Sequence, residues 1–180
     1  MIYTTNELIK KGETEYSIRN RIKNKSLFLI ERGVYSDEPN PYFDEIYICK
    51  KYPDSILSGI SALAIYDLID FIPDKFYLVT EQHSFPIRRK DVYQSYQDPS
   101  FFKVGKTKIK YKGGLINIYD KERLLIETIR LKEKIAPEIY YEAIESFRRI
   151  KNELDFYKIN KYVKVFKNRG GLLQKIKEII

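Results

Sequence analysis

Tryptophan does not occur in these 180 residues, and cysteine, histidine and methionine occur once each. With Cys49 alone, no internal disulfide and no thiolate zinc site can be assembled. His83, the one histidine, has no cysteine or evident nucleophile beside it in sequence. No apolar run reaches the roughly 18 residues of a membrane-spanning helix. The opening MIYTTNELIKKG lacks the order of a secretory signal. These absences predict a cytoplasmic protein with no membrane role, no metal and no cofactor.

What is present is apolar and aromatic enough to fold: 43% hydrophobic, with 16 Tyr and 10 Phe. Lys and Arg number 33 against 25 acids, a formal charge of +8. That balance permits binding to nucleic acid or another anionic surface without specifying either.

The pattern predicts an α+β chain of two parts. Thr4 or Thr5 caps a helix to Lys11 that Gly12 ends, and Thr14 caps a second helix to about Asn24. SLFLIERGVYS is β-rich and reverses at Arg32-Gly33. DEPNPY (37–42) reads as the linker, giving domains 1–37 and 43–180. Beyond it, EIYICKKY reads as a strand and ILSGISALAIYDLI as an apolar helix capped by Asp54 or Ser55. KFYLVTEQ is a third strand pattern, and two more flank Gly113-Gly114. Asp120 caps a helix, Pro137 opens another, a third runs from Asp155 to Lys167, and a terminal helix follows the Gly170-Gly171 pair.

At 100° per residue, the second helix turns Ile18 and Ile22 toward Leu8, Ile9, Leu27 and Leu29. Tyr16, Asn20, Lys23 and Asn24 then face away, with Ser17, Arg19 and Arg21 on the flanks. Asn amides pair with adenine in a major groove, cations hold phosphates, and Arg32 at a hairpin tip suits a minor groove. A solvated amphipathic helix accounts for the charges alone equally well. The order helix, turn, polar-faced helix, basic-tipped hairpin is more specific, and it predicts a winged helix-turn-helix. Tyr16 and Asn20 would read bases. Ser17, Arg19, Arg21, Lys23 and Lys25 would hold phosphates, and Arg32 would probe the minor groove.

The segment NELIKKGETEYSIRNRIKNKSLFLIERGVYSD resembles the N-terminal winged helix of AbiEi-type antitoxins, which belong to abortive phage-infection toxin–antitoxin systems. Its Arg32-Gly33-Val34-Tyr35 matches the family's RGVY wing. The likeness continues in YPDSILSGISALAIYDL, through Ser58, Gly59, Ser61, Ala62 and Leu63, and in IYDKERLLIE, through Glu122 and Arg123. The resemblance implies a transcriptional autorepressor that binds double-stranded operator DNA at inverted repeats. It also implies an antitoxin that neutralises a nucleotidyltransferase-like toxin without a stable complex. The family's helix before the one at Thr5 has no counterpart here, so residues 1–40 alone are expected not to fold cooperatively.

Two other basic features invite a role. Lys106, Lys108, Lys110 and Lys112 alternate along one strand face, a pattern that also keeps sheet edges soluble. The stretch from Lys158 to Ile180 is cation-rich, with Lys158, Lys161, Lys164 and Lys167 on the outer side of a helix. These surfaces support an alternative in which the chain binds RNA or an acidic protein and no DNA. For catalysis, Ser58-Gly59 is followed by Asp67 and Asp70 on a predicted helix without the Asp-x-Asp of a nucleotidyltransferase. Glu81 is followed by His83 where a nuclease needs lysine. The sequence therefore predicts no enzyme.

Overall fold

In the computed structural model, which describes residues 1–41, 44–166 and 171–180, the chain is mixed α and β and divides into two units, Met1–Pro53 and Asp54–Ile180. The first unit starts with β1 (Ile2–Thr4) and α1 (Thr5–Lys10). Thr4 caps α1 reciprocally with Glu7: the Glu7 amide donates to the Thr4 hydroxyl, and the Thr4 amide to the Glu7 carboxylate at 2.8 Å. Thr14 and Ser17 repeat the arrangement at α2 (Glu15–Lys23). Next come β2 (Phe28–Glu31) and β3 (Val34–Ser36), reversing at Arg32-Gly33, where Gly33 supplies φ +78°. The three strands form an antiparallel sheet in the order β1-β3-β2.

Leu8, Ile18 and Leu27 are the core of this unit, with Tyr3, Ile22 and Tyr35 packed against them. Ile9 and Leu29, expected in that core, are 49% and 55% exposed. Leu8 takes the inward position on α1, which turns its neighbour Ile9 outward. Leu27 precedes β2, so it does not share a pleat with Leu29. Leu8 and Ile18 are nonetheless only 1% and 4% exposed. Tyr3, on a three-residue strand the sequence reading had not marked, packs against them.

EIYICKKY is not a strand: Glu45–Lys51 is a helix, α3, capped by Asp44 accepting from the Tyr47 amide at 3.0 Å. The β-favouring Ile and Tyr residues outweighed, in the sequence, the signal that decides here. That signal is a capping acid, then Glu45 in the first turn and Lys50 and Lys51 in the last, all complementing the helix dipole. Cys49 is buried on this helix. Lys50 donates to the Ile2 carbonyl at 2.5 Å and pairs with Glu7 at 3.0 Å, and Lys51 pairs with Glu31. The first unit therefore extends past the expected boundary at 37–42 to Pro53; Tyr42 of that stretch, and Phe43 after it, lie outside the described residues.

The second unit contains β4 (Ile56–Leu57), α4 (Gly59–Ile65), β5 (Phe76–Glu81), β6 (Val92–Gln97) and α5 (Pro99–Phe102). Then follow β7 (Lys106–Tyr111), β8 (Gly114–Tyr119), α6 (Lys121–Arg130), α7 (Pro137–Arg149), α8 (Phe156–Val163) and α9 (Leu172–Ile179). The expected helix of ILSGISALAIYDLI thus starts only at Gly59, its first residues being strand. β6 and α5 had not been read from the sequence. α8 ends at Val163, and residues 167–170, where its end was expected, lie outside those described.

The sheet order is β6-β5-β4-β8-β7, with β5/β6 and β4/β8 parallel and the other pairs antiparallel. α6, buried from Glu122 to Ile129, packs against α4, α7, α8 and α9. Ser61 and Arg123 tie elements of this unit together. The Ser61 hydroxyl accepts from the Tyr77 amide at 2.9 Å and donates to the Lys75 carbonyl at 3.2 Å, joining α4 to β5. Arg123 is fully buried, 2.7 Å from Glu127, and its guanidinium lies 4.7 Å from the Tyr119 ring centre and 4.5 Å from that of Phe166. It also donates to the Phe101 carbonyl at 3.1 Å. Gly105 makes room for it, since a Cβ there would stand 2.5 Å from Arg123 Cβ at a φ of +74°.

Candidate nucleic-acid interface

The first unit has nearly equal numbers of acids and bases, so its surface character depends on which charges are matched internally. Glu13 holds α2 from outside: it accepts from the Ser17 hydroxyl at 2.6 Å and pairs with Arg21. Those two contacts, the Ser17 hydrogen bond first, hold the Glu13 carboxyl below the usual carboxylate range. Arg21 also donates to the Ser26 carbonyl at 3.2 Å, clasping the turn after α2. The Ser17 hydroxyl oxygen also accepts from the Thr14 amide at 2.9 Å. Ser17 and Arg21, expected among the phosphate ligands, thus have their polar atoms committed to the scaffold.

Glu7 and Glu31 are matched by Lys50 and Lys51. Burial works to raise the Glu7 carboxyl, but the Thr4 amide and Lys50 outweigh it and hold it below its usual value. Arg19 reaches Glu15 at 3.4 Å with both side chains about four-fifths exposed. Such a pair is worth only about 0.3–0.5 kcal/mol, which leaves Arg19 available to a phosphate.

Of the rest of the expected set, Tyr16, Asn20 and Lys23 share one side of α2, following one another at helical spacing. Tyr16 is 75% exposed, Lys23 is exposed and Asn20 half-exposed. Lys25 is exposed just past the helix end, and Arg32 at the hairpin turn. Among the described residues, Tyr16, Lys23, Lys25 and Arg32 have no side-chain partner. The acids having been matched elsewhere, this is where the unit displays positive charge. Lys10 is also exposed, in the last turn of α1.

Lys25 adopts φ +56°, a left-handed conformation that costs an L-residue about 1–2 kcal/mol. It sits where a helix-terminating glycine would ordinarily stand, and the following Ser26 amide donates back to the Arg21 carbonyl at 2.9 Å. A lysine at this position costs stability and places a cation beside the exposed face of α2.

The other basic features are placed differently. β7 is an edge strand, with Lys106, Lys108 and Lys110 exposed and the alternate residues half-buried, whereas Lys112 lies in the hairpin turn at φ +45°. On α8, exposed Lys158 lies 3.8 Å from Asp120 and 3.9 Å from Glu122; Lys161 on the helix and Lys164 just past its end are also exposed. Asp67 and Asp70 fall beyond the end of α4 and are exposed, rather than sharing a helix, and His83 is an exposed turn residue. Among the described residues no group of His, Cys, Asp and Glu is arranged to hold a metal ion, and no helix is long and apolar enough to cross a membrane. No protein-family model matches the chain, and no curated protein matches it.

Proposed function

We propose that the chain is a DNA-binding transcriptional autorepressor and the antitoxin of a bacterial abortive-infection operon. In this reading residues 1–53 are a winged helix-turn-helix whose recognition helix is α2 and whose wing is the β2–β3 hairpin. One observation carries it: among the described residues the Tyr16, Asn20 and Lys23 stripe has no side-chain partner, while a capped, clamped scaffold fixes the helix beneath it. Tyr16 and Asn20 read base edges, Arg19, Lys23 and Lys25 hold phosphates, and Arg32 enters the minor groove. Ser17 and Arg21 support the face without touching DNA.

The antitoxin half rests on the likeness of the Tyr52–Leu68 and Ile118–Glu127 segments to AbiEi-type proteins. Its target is a nucleotidyltransferase-like toxin encoded alongside, neutralised without a stable complex. Two experiments test the two halves. Incubation of the full chain with duplex from upstream of its own gene should yield a footprint of inverted repeats, and Lys23→Ala and Arg32→Ala should weaken it. Co-expression with the neighbouring toxin gene should restore growth; failure to rescue growth would remove the antitoxin half alone.

A further inference from the structure

The two edges of the five-stranded sheet are built differently. β7 presents exposed Lys106, Lys108 and Lys110, the usual guard against another chain adding to a sheet. β6 reads VYQSYQ, without charge, proline or glycine, and its Tyr93 and Tyr96 are 52% and 48% exposed. Among the described residues no strand pairs with its outer side. An unguarded strand of six residues in a chain of net charge +8 is an exception that needs a reason.

We propose that β6 is the docking edge for a second copy of this chain, the two β6 strands joining antiparallel about a two-fold axis to continue one sheet. Charge argues for a copy as the occupant. An uncharged strand meets itself with no like-charge repulsion, whereas β7 against β7 would set lysines beside lysines.

A two-fold axis perpendicular to the sheet keeps each face on its own side, so a residue must meet one of the same face. With the axis through Gln94, Gln94 meets its own copy, Val92 stands opposite Tyr96, and Tyr93 opposite Ser95. No pair then sets like charges together; the Gln94 pair occurs once and the others twice. The Gln94 side chain does not obstruct the axis. It accepts from the Ile87 amide at 2.7 Å and donates to the Thr80 hydroxyl at 2.8 Å, tying it to the β5–β6 connection.

This dimer does not depend on the nucleic-acid reading, and a chain that binds no DNA leaves it standing. The test is sedimentation and amide exchange of the full chain from about 2 to about 200 μM, where mass action should drive association. The expected result is a mass rising from 21.5 kDa toward twice that value. Protection of the Gln94 and Tyr96 amides, which point away from β5, should rise with it. Tyr96→Lys should abolish the rise, and Lys108→Glu on the opposite edge should leave it unchanged. A monomer throughout, a dimer whose Gln94 and Tyr96 amides gain no protection, or an unchanged Tyr96→Lys dimer would each overturn the proposal. Should Tyr96→Lys fail to fold, the concentration dependence of exchange in the unmodified chain decides alone.

Discussion

Replacing Lys25 by glycine should make the protein more stable and a weaker DNA binder at once. The residue holds φ +56° at the end of α2, where an L-side chain costs about 1–2 kcal/mol. Glycine removes that cost but brings greater freedom to the unfolded chain, about 0.5–1 kcal/mol. The net gain expected is therefore about 0.5–1 kcal/mol. The backbone bond from the Ser26 amide to the Arg21 carbonyl survives the change, since it involves no Lys25 side-chain atom. Lys25→Ala separates the two roles: it removes the cation and keeps the strained backbone, so it should weaken binding without stabilising. The assay pairs urea denaturation, followed by amide exchange in α2 and β2, with anisotropy titrations of operator duplex. Each lost phosphate contact should lower the salt slope by about 0.9. A Lys25→Gly protein less stable than the unmodified chain would refute the backbone argument, and an unchanged salt slope in both variants would remove Lys25 from the interface.

Arg21→Ala and Ser17→Ala should cost stability, with operator affinity reduced only in step with the unfolded fraction, because both residues serve Glu13. The Glu13 carboxyl is depressed in the folded state, so its stabilisation is complete above the ordinary carboxylate value near 4.5 and is lost as pH falls through the lower folded value. Denaturation midpoints measured from pH 6 to pH 3, an interval spanning the ordinary carboxylate range, should show that acid-side loss shrink in Arg21→Ala. Arg123→Ala should destabilise the second unit by about 3 kcal/mol, the low end for a broken buried pair, since Arg130 still reaches Glu127 at 3.3 Å; the measure is the urea midpoint. A fragment of residues 1–53 should melt cooperatively and one of residues 1–40 should not, as judged by circular dichroism, because the shorter one lacks Lys50 and Lys51 against Ile2, Glu7 and Glu31.

Elements with a local signal were legible in the sequence. Thr14, Asp120 and Pro137 each opened the helix they predicted, and the Arg32-Gly33 reversal stands where expected, while the one expected at Gly113-Gly114 falls one residue earlier, at Lys112-Gly113. Elements that depend on distant partners were not. β1 is three residues paired to β3 across the unit, and β6 gains its ladder from parallel β5. At Glu45–Lys51 a capping acid and terminal charges decided against residues that favour strand. For the face itself, helical periodicity placed Tyr16, Asn20 and Lys23 together. The commitment of Ser17 and Arg21 to Glu13 was hidden because Arg21 meets it from eight positions away. Net charge was a poor guide, since most of the excess lies outside the first unit.

The central claim, that the α2 face and the hairpin tip hold duplex DNA, is tested most directly by the salt dependence of binding to duplex from upstream of the gene. Lys23→Ala and Arg32→Ala should each weaken binding and lower the log–log salt slope by about 0.9, while Lys108→Ala on β7 leaves both unchanged. Equal affinity and equal slope in the unmodified chain, Lys23→Ala and Arg32→Ala would contradict the account.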